Sequence, residues 1–199
     1  MKKNILLVLA IVSFNAVFAQ KAHPGLKGGL NFSNILYQNT DASDYKVGFH
    51  VGGVAHIHVT KKFAIQPELI YSEQGRKFTL LNNEYTTRLG YINIPVLAQY
   101  MFNNGFRLQA GPQLGFLVSA KEKYNRIIVD QKDKYNSTDI SFAAGIGYLG
   151  PSGLGIDGRW VFGLSNINEN SNGTKASNNV AQLGIFYMFH HTANKHRGK

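Results

Sequence analysis

The sequence predicts an all-β fold, an eight-stranded antiparallel up-and-down transmembrane β-barrel, on three observations. Eight segments alternate apolar with small or polar residues, the connections between them alternate short and long, and no apolar run after the first twenty residues is long enough to cross a bilayer as a helix. Successive side chains on a strand point to opposite faces, so each segment has one greasy face and one polar face. Charged residues make up only 16% of the chain, against roughly 25% in ordinary soluble domains. That shortage points to apolar side chains on the outside.

The opening Met1-Lys2-Lys3, the apolar run from Ile5 to Val12 and the ending Val17-Phe18-Ala19 before Gln20 have the three-part build of a secretory signal peptide. Cleavage is expected after Ala19, because Ser13 and Asn15 break the run well short of the ~20 apolar residues of a spanning helix. The organisation is therefore a signal peptide over 1–19, a barrel domain over 20–189 and a basic periplasmic tail over 190–199. With no cysteine there is neither a lipid-modified N-terminus nor a disulfide, and stability must come from burial and backbone pairing.

The first strand is expected from Leu26 to Phe32. In the second, Val47, Phe49, Val51, Gly53, Ala55, Ile57 and Val59 share one face, and Gly48, His50, Gly52, Val54, His56 and His58 the other. Phe63 to Tyr71 and Ile92 to Phe102 follow. The fifth strand sets Phe106, Leu108, Ala110, Pro112, Leu114, Phe116 and Val118 against Arg107, Gln109, Gly111, Gln113 and Gly115. Ile140 to Tyr148, Leu154 to Leu164 and Ala181 to Phe189 complete the eight. Spans of roughly 9 to 11 residues suit tilted membrane strands.

Short turns fall at Thr60 to Lys62, Asn103-Asn104-Gly105 and Gly150-Pro151-Ser152-Gly153. Longer polar connections are expected at Ile35 to Asp44, Thr79 to Thr86, Asn125 to Asn136 and Asn168 to Ser177. Small outer-membrane barrels have tight periplasmic turns and longer outer loops, and an even strand count puts both termini in the periplasm. Tyr71, Tyr91, Tyr100, Phe102, Phe106, Phe116, Tyr148, Trp160, Phe162, Tyr187 and Phe189 lie largely toward strand ends, where interfacial aromatic girdles belong.

The polar face carries the candidate chemistry: Lys27, Glu68, Arg107, Asp139, Asp157 and Arg159, with Gln66, Asn93, Gln109 and Gln113. Charges inside a narrow lumen are tolerated only when paired, so Glu68 and Asp157 with Arg107 and Arg159 are expected to form a structural ion-pair network. His50, His56 and His58 share a face, but without cysteine or a fixed acidic partner they are read as hydrogen-bonded lumen residues and no metal site is assigned. His190, His191 and His196 fall in the tail. Gly145-Ile146-Gly147-Tyr148-Leu149-Gly150 has the spacing of a dinucleotide loop, yet Pro151 and Gly153 stand where a helix should open. No cofactor is expected. Nucleophile motifs are absent and Asp41, Asp44, Glu84, Asp130 and Asp133 are scattered, so the chain is read as not an enzyme.

A net charge of +10 spread over loops and tail suits anionic headgroups and lipopolysaccharide better than nucleic acid. Eight strands leave an interior that side chains can fill, which argues against an open pore.

Four stretches, Gly25 to Ser33, Ile65 to Ser72, Tyr91 to Leu97 and Gln109 to Gly115, together resemble the PorT-like outer-membrane β-barrel family, a porin-like group of small barrels in Gram-negative bacteria. The resemblance spans nearly the whole mature chain and implies insertion in the outer membrane by the barrel-assembly machinery. The role expected is structural, adhesive, or in envelope assembly or secretion, through loops whose partner is unidentified. Two other readings use the same alternation: a soluble exported lipocalin-like barrel carrying a small apolar ligand, and an outer-membrane barrel enzyme such as an acyltransferase or protease. The first would require the apolar face to point inward.

Overall fold

The alternating segments become long antiparallel strands in the computed structural model, which describes residues 22–37, 44–80, 83–124, 127–169 and 175–189. The expected signal peptide and basic tail lie outside these residues. The strands are β1 (Ala22–Tyr37), β2 (Lys46–His58), β3 (Phe63–Leu80), β4 (Asn83–Met101), β5 (Phe106–Tyr124), β6 (Ile127–Asp130), β7 (Thr138–Leu149), β8 (Leu154–Gly163) and β9 (Ala176–Met188). β1 to β5 pair in succession, β7 follows β5, and β9 returns to β1, closing a ring of eight strands. All pairings are antiparallel. Closure removes the open edge that hydrocarbon could not satisfy.

One end of the ring carries the short turns. Thr60 Oγ1 accepts from the Phe63 amide at 3.0 Å. Gly105 (φ 91°) and Gly153 (φ 85°) supply the left-handed backbone that the other two turns require. The two described ends of the chain meet there as well, through the Phe189 amide donating to the Pro24 carbonyl at 2.8 Å.

The opposite end departs from the sequence reading. β3 and β4 stay paired up to Leu80 opposite Asn83, so the connection expected over Thr79 to Thr86 is mostly hairpin. β5 runs on to Tyr124 and pairs there with β6, which forms inside the connection expected over Asn125 to Asn136. β1 and β9 likewise extend into the expected connections, to Tyr37 and from Ala176. The extended ends of β3, β4 and β5, with β6, make a four-stranded lobe that projects past the ring. The physical reason is the medium: beyond the bilayer a strand needs no apolar outer face, so the alternation that marks a membrane strand vanishes while backbone pairing continues.

Burial is inverted relative to a water-soluble sheet. Lys27, Asn31, His50, Glu68, Gln99, Arg107, Asp157 and Gln182 are all buried, whereas Leu26, Leu183 and Ile185 are about 60% exposed. At the turn end aromatic rings meet along the outer surface, Phe63 with Tyr100 at 5.1 Å, Phe106 with Tyr148 at 5.3 Å and Tyr187 with Phe189 at 5.5 Å. Phe49 with Tyr71 and Trp160 with Phe162 make further outward pairs. Tyr91, expected in a girdle, is instead buried, because it shares the inward parity of Asn93 and Gln99.

Candidate functional site

The interior is built on inward positions of every ring strand. Near the lobe end Ile35, Leu89, Tyr91, Leu117, Ala120, Ile167 and Ala176 form an apolar cluster, and toward the turn end Val54, Ile70, Leu149, Phe186 and Met188 form another. A third apolar cluster, Leu97, Ala143, Val161 and Val180, and a set of polar groups fill the rest of the interior.

Two connected chains of polar side chains cross this space. In one, Glu68 Oε2 lies 2.8 Å from Arg159 Nη1, an ion contact approached off the hydrogen-bond axis, with both side chains almost fully buried. Gln66 donates to Glu68 Oε1 at 2.8 Å. Arg159 Nε donates to Gln182 Oε1 at 2.7 Å, and Gln182 Nε2 to Asn31 Oδ1 at 2.9 Å. Asn31 Oδ1 also meets His50 Nδ1 at 2.8 Å, and Asn31 Nδ2 donates to Ser72 Oγ at 3.0 Å. In the second chain Arg107 Nη1 donates to Gln99 Oε1 at 3.3 Å and Gln99 Nε2 to Gln109 Oε1 at 3.0 Å. Gln109 Nε2 then donates to Asp157 Oδ2 at 3.1 Å, and Asp157 is ion-paired with Lys27.

Glu68, Arg107, Asp157 and Arg159 thus all face the lumen, but they do not form one cluster of mutual pairs. Asp157 takes Lys27 as its cation, and Arg107 reaches it only through two glutamines. Lys27 was legible as an inward cation; the linking roles of Gln99 and Gln182 follow from strand register that the sequence does not fix. Asp139 lies apart, accepting from Asn178 at 2.9 Å and from Ser165 at 2.9 Å. His56 and His58 touch edge to face at 4.6 Å, and His58 touches His23 at 5.7 Å. Among the described residues no group of histidines and acids is disposed to hold a metal ion. Gly145 to Leu149 belong to β7, so the dinucleotide spacing is strand and turn.

The lobe presents a different surface. Phe78, Tyr85 and Tyr124, opposite one another across β3, β4 and β5, stack at 5.0 and 4.6 Å. The Arg76 guanidinium sits 4.4 Å from the Tyr37 ring and 4.3 Å from the Phe78 ring, a double cation–π contact tying β1 to the lobe. Burial pushes the nearby Tyr135 hydroxyl up to about 12, so it stays neutral. The edge strand β6 exposes Ile127, Ile128 and Val129. Sequence reasoning missed this lobe; the recurring inward aromatics at 78, 85 and 124 were its available signal.

A closed ring with charges inside and an apolar belt outside is stable in hydrocarbon and ill-suited to water. Residues 18–169 match the family described as outer membrane protein beta-barrel domain. The chain belongs to that family. Among solved structures it is similar to the attachment invasion locus protein Ail of Yersinia pestis, at 13% identity and a TM-score of 0.50, covering 84% of this chain and 99% of Ail. It is also similar to Neisserial surface protein A, at 9% identity and a TM-score of 0.55, covering 83% of this chain and 97% of that one. At such identities the likeness is one of fold. No curated protein matches the chain in sequence. As a bacterial outer-membrane barrel of antiparallel strands, the chain is the inverse of a soluble lipocalin-like carrier, whose apolar face would line the interior.

Proposed function

We propose that this barrel is a non-conducting outer-membrane anchor that displays its β3–β6 lobe at the cell surface, in an adhesive or envelope-assembly role. The observation that carries the reading is the filled interior: two polar chains and three apolar clusters leave side chains where a pore would need water. The short turns face the periplasm and the lobe faces outward by the general asymmetry of small outer-membrane barrels. The four motifs resembling the PorT-like group place envelope assembly and secretion beside adhesion, and similarity to a protein named for attachment supports a surface role. The partners on this reading are outer-membrane lipid and lipopolysaccharide, the barrel-assembly machinery and a macromolecule engaged by the lobe. Catalysis is not part of it.

Reconstitution in planar lipid bilayers tests the sealed lumen, with no stepwise conductance expected; discrete openings would make the protein a channel and overturn the reading. Shortening the lobe to tight turns at residues 76–87 and 120–131 should leave the barrel in the outer membrane while abolishing cell-surface attachment or partner crosslinking. Retention of both after shortening would move the working surface elsewhere.

A further inference from the structure

Where the base of the lobe meets the start of β2, just beyond the apolar belt, a cleft of about 350 Å³ is lined by four cations, the buried Lys46 with Lys77, Arg88 and Lys123, by the acids Glu73 and Glu84, and by Val47 and its neighbours. Arg88 lies directly opposite Lys121 on the neighbouring strand, and Lys77 and Lys123 flank Thr86 from either side. Like charges directly opposite one another on a sheet destabilise it unless an anion sits between them. Two carboxylates answer two of these cations: Glu73 pairs with Lys46 at 2.6 Å and Glu84 with Lys77 at 3.2 Å. Asp130 stands opposite Lys121 on its other side. Among the described residues, no carboxylate forms an ion pair with Arg88, Lys121 or Lys123.

The surroundings select the anion. Val47 lines the cleft and is itself 58% exposed, the first of an outward apolar row that continues through Phe49 and Val51. A ligand lying here would have its polar end among cations and its remainder against hydrocarbon-facing side chains. We propose that the cleft holds the phosphorylated headgroup of an outer-leaflet glycolipid, its acyl chains lying along the belt below. This rests on the membrane orientation given above and adds to it a specific lipid site. Bound lipid would relieve the Arg88–Lys121 repulsion and brace the base of the lobe.

The test uses the full chain folded in uncharged detergent micelles and titrated with diphosphoryl lipid A, the thermal unfolding midpoint being followed on unboiled gels. A saturable rise is expected. Each surface cation near an anionic lipid contributes about fivefold in affinity, so Lys123→Gln should raise the half-saturating lipid concentration about fivefold, and Arg88→Gln with Lys121→Gln roughly twentyfold. Arg88→Lys with Lys121→Arg should bind as the native chain does, as should Lys61→Gln with Lys62→Gln at the opposite end. An unchanged half-saturation in the double Gln variant, or an equal rise from the same lipid without phosphates, would overturn the site. Pyrophosphate alone acting at the same concentration would assign the cleft to free anions and overturn the lipid. Failure of the native protein to show heat-dependent migration in an outer-membrane fraction would instead bring down the membrane reading itself.

Discussion

Removing the charge of Glu68 by Glu68→Gln should destabilise the barrel through Arg159 rather than through lost packing. Arg159 is almost fully buried and its Nη1 has Glu68 Oε2 as ion partner at 2.8 Å. Breaking a buried pair from one side typically costs about 3–5 kcal/mol, because the remaining charge keeps its desolvation penalty without compensation. Arg159 retains its hydrogen bond to Gln182 at 2.7 Å, and Gln66 still faces position 68, so the lower figure, about 3 kcal/mol, is expected here. Arg159→Met should cost a similar amount by stranding Glu68. Together the two changes should cost much less than their sum, with a coupling of about 2 kcal/mol. The assay is reversible urea unfolding in lipid vesicles, followed by the fluorescence of Trp160, which faces outward and is the sole tryptophan. Strict additivity, or single variants within about 0.5 kcal/mol of the native chain, would refute the lumen network as a source of stability.

Three further outcomes are expected. Ile185→Lys, on the belt, should cost about 2–4 kcal/mol in vesicles of bilayer-forming lipid; an unchanged unfolding midpoint would mean that β9 does not face hydrocarbon. Gly153→Ala should cost about 1 kcal/mol, since a φ of 85° is strained for any residue with a Cβ, and a neutral result in the same urea titration would contradict that turn. Arg76→Gln should speed amide hydrogen exchange in the lobe halves of β3 and β4, 76–80 and 83–87, while leaving β7 protected. Uniform acceleration throughout the ring would show that the Tyr37–Arg76–Phe78 contact supports the barrel and not the lobe.

The ring was legible because the bilayer imposes its own pattern on sequence. Phe106, Leu108 and Leu114 alternate with Arg107, Gln109 and Gln113 since one face meets lipid and the other a crowded lumen, and parity alone places Glu68, Arg107, Asp157 and Arg159 inside. Parity does not say which inward cation meets which acid. That depends on register between strands far apart in the chain, such as Lys27 on β1 and Asp157 on β8, which come together over Gly184 of the intervening β9. The lobe was read as connections for a related reason: its outward positions are polar, with Thr79, Glu84 and Arg88 exposed to water and Lys77 partly so, and these strand ends lack the outward apolar residues by which the other strands were recognised.

The most direct test of the account is whether the protein, extracted from an outer-membrane fraction, migrates differently on a denaturing gel before and after boiling. A heat-dependent shift is expected, because a closed, hydrogen-bonded ring resists detergent until it is heated. Recovery in the soluble periplasmic fraction with identical migration in both samples would contradict the membrane barrel.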